Sequence, residues 1–92
     1  MTEKLVKIID PIGLHARPAS ILVTTASKYV GNDIKMIMSD TKIIDAKGIM
    51  GVLSCAIEAD QEFLIRVEGL NSEEVITEFI RSLSNQEILI AI

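Results

Sequence analysis

Glu62-Phe63-Leu64-Ile65-Arg66-Val67-Glu68 carries the clearest alternation in the chain, with Phe63, Ile65 and Val67 on one parity and Leu64, Arg66 and Glu68 on the other. A period of two with one strongly apolar side predicts a strand that lays one face on a core and turns the other outward. Beyond it, Asn71 with Glu74 three residues on reads as a helix N-cap, and Val75, Ile76, Phe79 and Leu83 then share one helical face. Before it, Gly48 to Ala56 contains Ile49, Met50, Leu53 and Cys55 and reads as a short helix, weakened by Gly48 and Gly51. Earlier still, Ile34, Met36 and Met38 alternate with Lys35, Ile37 and Ser39. Lys42 to Asp45 returns after the turn Ser39-Asp40-Thr41, which makes a hairpin.

At the N-terminal end Leu5 to Ile9 reads as a strand with Val6 and Ile8 inward and Lys7 between them. Asp10-Pro11-Ile12-Gly13 breaks it. From Ala16 the period becomes helical: Ala19, Leu22, Ala26 and Tyr29 recur at spacings of three and four, Pro18 sits in a first turn that tolerates it, and Gly31-Asn32 is the expected stop. The order is strand, helix, strand, strand, helix, strand, helix. Half-buried strands with three helices predict the α+β class, a four-stranded antiparallel sheet with its helices on one face. Glu87 to Ile92 is an apolar tail to which the pattern assigns no partner.

Ninety-two residues make one domain, 1–92, because two independent cores do not fit in that length. Hydrophobic residues are 49% and aromatic residues 3%, with no Trp, so the core must be aliphatic. A charged fraction of 24% is ordinary for a folded chain and argues against disorder. The net charge of -4 disfavours a nucleic-acid partner. Cys55 is the only cysteine, so it forms no internal disulfide and no zinc site by itself, and it reads as a small core residue. No signal-peptide pattern and no apolar run of about 18 residues is present. The expectation is a cytoplasmic protein without membrane insertion.

Gly13-Leu14-His15-Ala16-Arg17-Pro18-Ala19 holds the only histidine, with an arginine two residues on, where loop becomes helix. The first helical turn leaves N–H groups without partners and favours negative charge. An imidazole there can carry a phosphoryl group whose oxygens meet those N–H groups and the Arg17 guanidinium. Histidine suits the role because its neutral ring is a nucleophile near neutral pH. The bland alternative stands beside it: a lone His at a helix start is commonly a solvated or capping residue.

With Ser20, this stretch resembles the active-centre signature of the HPr family, the histidine-containing phosphocarriers of the bacterial sugar phosphotransferase system. Lys47-Gly48-Ile49-Met50-Gly51-Val52-Leu53-Ser54 is similar to the same family's second signature, and the likeness covers roughly residues 2 to 84. It implies an open-faced β-sandwich. It also implies that His15 accepts a phosphoryl group on Nδ1 from phosphorylated enzyme I and passes it to EIIA domains of sugar transporters, with Arg17 paired to the group. The protein would then be a stoichiometric carrier rather than an enzyme, with no cofactor and no metal. The resemblance places partner docking on Ser20, Ile21 and Thr24 of the first helix and on Ile49, Met50 and Leu53 of the second motif. The bland reading of those aliphatics is ordinary exposure. Gram-positive members carry a regulatory serine where this chain has Gly48, so that modification has no hydroxyl here. Two alternatives remain open: a regulatory HPr-like paralogue that binds a transcription factor or an enzyme, and a small-molecule sensing α+β module.

Overall fold

The computed structural model describes residues 1–92. Its elements are β1 (Thr2–Ile8), α1 (Ala16–Ser27), β2 (Asn32–Ile37), β3 (Ile43–Asp45), α2 (Ile49–Ser54), β4 (Glu62–Gly69), α3 (Ser72–Asn85) and β5 (Leu89–Ala91). The strands form one sheet in the order β3-β2-β4-β1-β5, every neighbouring pair antiparallel. The expected α+β class with three helices holds, but the sheet has five strands rather than four. The difference is the tail: β5 pairs with β1 through Val6↔Ala91, Lys7↔Ile90 and Ile8↔Leu89. Without it, β1 would be an edge of unpaired N–H and C=O groups.

Val6, Ile8, Ile34, Met36, Ile65 and Val67 point from the sheet into the core, where Ala19, Leu22 and Ala26 of α1 and Ile76, Phe79 and Leu83 of α3 meet them, all fully buried. The core is apolar throughout, with no polar or charged side chain buried. Inward parity on β1 and β4 is as the alternation predicts. The start of β1 differs, at Thr2 rather than Leu5, because Thr2 and Glu3 are held by pairing with Val67 and Arg66 rather than by burial. The Glu3 carboxylate lies 2.6 Å from Arg66 Nε.

Two helix ends also differ from expectation. α1 stops at Ser27, capped by Lys28 in the right-handed conformation, so Gly31 is not a left-handed cap. Tighter bonds, Lys28 N–H to Thr25 O and Tyr29 N–H to Ala26 O, close the helix instead. Lys47 Nζ then donates to the carbonyls of Tyr29 at 2.8 Å and Asn32 at 2.6 Å, tying the following turn to the loop before α2. Asn71 does precede α3, but in the left-handed region with φ 56, and its side chain makes no capping bond. Ser72 accepts or donates to Thr2 Oγ1 at 2.8 Å instead. No helix is long and apolar enough to cross a membrane.

Candidate functional site

The loop between β1 and α1 is fixed from both sides. The amides of Ile9 and Asp10 donate to the Ile88 carbonyl at 2.9 and 3.4 Å, so the residue before β5 holds the start of the loop. Asp10 folds the loop on itself: its carbonyl accepts from Gly13 N–H and its Oδ1 from Ile12 N–H, both at 2.9 Å. Gly13 has φ +89, and a Cβ there would stand 2.7 Å from the Ile57 carbonyl oxygen. Only glycine lets the loop pass that close to the segment after α2. Leu14 then buries its side chain and donates its N–H to Ile57 O at 2.9 Å.

His15 is the N-cap of α1, extended at φ -80 and ψ -174, and its side chain makes no capping bond. The capping alternative is therefore not what the ring does. The imidazole is 38% exposed, and its Nε2 lies 3.5 Å from Asp10 Oδ1. That contact lies on the Nε2 side of the ring, and Nδ1 has no partner in the chain. Ala16 and Arg17 open the helix, and their N–H groups have no backbone acceptor; no acidic side chain occupies the first turn. Pro18 follows without an N–H. Arg17 is exposed and in no ion pair of the chain.

A cavity of about 270 Å³ joins these groups, lined by Asp10, His15, Arg17, Pro18, Ile21, Gln86 and Ile88. Asp10, Gln86 and Ile88 were not expected there from sequence. Beside it a mostly polar groove between α1 and α3 contains Ser20, Ile21, Thr24 and Lys28. Ile21 lines both spaces. Ile49, Met50 and Leu53 lie exposed on α2, which packs against α1, with Met50 the most open at 74%. Gly48 is the extended N-cap of α2 and Gly51 is inside it, where a Cβ would make only ordinary contact with Ile44 at 3.5 Å. Neither glycine breaks the short helix. Cys55 is half-buried, packed against the core at the end of α2.

Residues 2–85 match the family described as the PTS HPr component phosphorylation site, which defines the class: a phosphotransferase-system component built around a phosphorylated residue. The phosphocarrier protein HPr of Treponema pallidum (strain Nichols) is 34% identical over 87 residues, 94% of this chain and 96% of that protein. Among solved structures, a histidine-containing phosphocarrier protein from a mycoplasma superposes with a TM-score of 0.84 at 31% identity, covering 95% of this chain and 97% of that one. HPr of Thermoanaerobacter tengcongensis does so with 0.83 at 33% identity, over 95% and 96%. The chain belongs to the HPr family of phosphocarriers.

Proposed function

We propose that His15 accepts a phosphoryl group from phosphorylated enzyme I and passes it to EIIA domains of sugar transporters in the cytoplasm. What carries this reading is a histidine side chain free of capping duty, set beside two unpartnered helix-start amides and an unpaired guanidinium. In the transfer the Nδ1 lone pair attacks phosphorus while the bond from phosphorus to the donor group breaks, and that electron pair leaves with the donor. The proton on Nε2 remains in place, next to Asp10. The transferred oxygens face the amides of Ala16 and Arg17 and the Arg17 guanidinium, and the labile P–N bond lets the group move on. Ser20, Ile21, Thr24, Ile49, Met50 and Leu53 form the docking surface, a small apolar centre with a polar rim. Met50 contributes a flexible side chain that repacks against different partners. The relatives named above are phosphocarriers, which supports the carrier over the regulatory alternative.

Incubation with phosphoenolpyruvate and enzyme I, read by intact mass, tests the proposal. One phosphoryl group should appear, labile in acid and stable in base, and should leave again when a cognate EIIA domain is added. An unchanged mass in the presence of active enzyme I would sink it.

Arg17 gives a graded test of the same site. Arg17→Ala should keep the fold and slow phosphoryl acceptance by about one to two powers of ten, since a charge-assisted hydrogen bond is worth roughly 1.5–3 kcal/mol. Arg17→Lys should recover only part, because an ammonium lacks the planar fork. Equal rates in wild type and Arg17→Ala would leave Arg17 no part in transfer.

A further inference from the structure

The face of the sheet turned away from the helices carries an aliphatic row that crosses all five strands. Ile43 pairs with Ile37, Ile37 with Leu64, Leu64 with Leu5, and Ile92 donates its N–H to the Leu5 carbonyl, so the five residues stand in register. Ile43 is 52% exposed, Leu5 40% and Ile92 55%. Single exposed aliphatics need no explanation, but a continuous band across a whole sheet does. The strand that closes the sheet's edge also lengthens this band.

Charges flank the row in a particular pattern. On β4 Leu64 lies between Glu62 and Arg66, and on β1 Leu5 lies between Lys7 and Glu3. Registry puts Glu62 beside Lys7 on one side of the row and Arg66 beside Glu3 on the other. β4 and β1 thus each carry opposite charges on the two sides of their aliphatic residue, while Ile37 of β2 has Lys35 on one side and, just past the strand, the uncharged Ser39 on the other. We propose that two copies of this chain pack sheet to sheet through this face, about a two-fold axis lying along the aliphatic row.

That axis stacks each aliphatic residue on its own copy and turns one flank onto the other. Arg66 then faces the second copy's Glu62, and Glu3 faces its Lys7, four attractive pairs in all once the symmetry is counted. An axis parallel to the strands through β4 does the reverse, setting Arg66 on Arg66 and Glu62 on Glu62. Charge therefore rejects that operator. Stacked sheets meet at the usual spacing of about 10 Å. Five strands about 4.8 Å apart and some 17 Å long span on the order of 400 Å² of plane per copy. That area is at the low end for specific complexes, so the association is weak and dynamic. The helices lie on the outer sides of such a dimer, and His15 stays accessible in both copies. The proposal does not depend on what His15 does.

The test is sedimentation equilibrium of the full chain between about 10 µM and about 1 mM, the range in which an interface of this size associates. Wild type should pass from monomer to dimer. Glu62→Arg and Arg66→Glu should each lose association by at least about tenfold, because each places like charges in register twice per dimer. Mixed in equal amounts, the two variants should associate again, since the introduced arginine then meets the introduced glutamate. Leu64→Lys should stay monomeric. Melting curves of all variants verify that the fold is intact; Leu5→Ser replaces any variant that does not fold and should likewise stay monomeric. A wild type that is monomeric to about 1 mM, or a mixture no more associated than its components, overturns the proposal.

Discussion

His15→Ala is expected to abolish phosphoryl acceptance altogether rather than to reduce it. The chain has one histidine, and near neutral pH its lysines and arginines are protonated and carry no free nitrogen lone pair, so none of them can substitute. The nearest carboxylate, Asp10, would give an acyl phosphate, a different adduct labile in base, and its Oδ1 already accepts from Ile12 N–H. Folding should be nearly untouched. His15 caps α1 with its backbone carbonyl, which accepts from Ala19 N–H at 2.9 Å, and the ring itself makes no capping bond. Loss of a partly exposed side chain without buried partners costs within about 0.5 kcal/mol. The measurement is intact mass and radiolabel from phosphoenolpyruvate plus enzyme I, with a melting curve alongside. Labelling that persists in a folded His15→Ala protein would assign the acceptor elsewhere.

Deleting residues 87–92 should cost the chain a large part of its stability. Ile88 and Leu89 are 1% and 0% exposed, which makes them core residues although they lie at the end of the sequence. Burial of two such side chains contributes on the order of 3–6 kcal/mol. The deletion also removes the acceptor of Ile9 and Asp10 N–H, the Leu89 carbonyl that Ser84 Oγ bonds at 2.8 Å, and the pairing of β1's outer edge. For a domain of this size each kcal/mol shifts Tm by about 4–8 °C, so a fall of more than about 10 °C is expected. Ile88→Ala should reproduce a large part of it, while Ile92→Ser should cost little. A truncated chain that melts with the full one would show that β5 contributes nothing.

The parts of the fold that could be read in advance are those where burial alone sets the pattern. β4 alternates because its inner face is core and its outer face is water, and α3 shows its stripe because Val75, Ile76, Phe79, Ile80 and Leu83 all lie against the sheet. The first residues of β1 could not be read, because Thr2 and Glu3 belong to the sheet through backbone pairing and an ion pair, neither of which leaves an apolar period. β5 has three residues, too few to display a period, and its partner is at the opposite end of the chain. Gly31 and Asn71 carried the usual helix-end and helix-start signals, yet local bonding overrode the expected geometry at both. At the candidate site, the place of His15 and Arg17 at a helix start was legible, because such a start leaves a local signal. Asp10 read as a turn residue, and only the fold of the loop brings its carboxylate to the ring. Gln86 and Ile88 reach the cavity from the far end of the sequence, and no local signal could have placed them there.

A side chain that receives a group from one protein and surrenders it to another meets a new surface twice in every cycle. A loose loop would have to be immobilised at each meeting, at roughly 1–2 kcal/mol for every residue ordered. Here the immobilisation is completed when the chain folds: Ile88 holds Ile9 and Asp10, Asp10 holds Gly13, and Ile57 holds Leu14. In the proposed transfer, donor and acceptor would therefore meet the same fixed loop, and neither encounter would have to order it. The speed of exchange would then rest on the contact surfaces and on the groups that meet the phosphoryl oxygens.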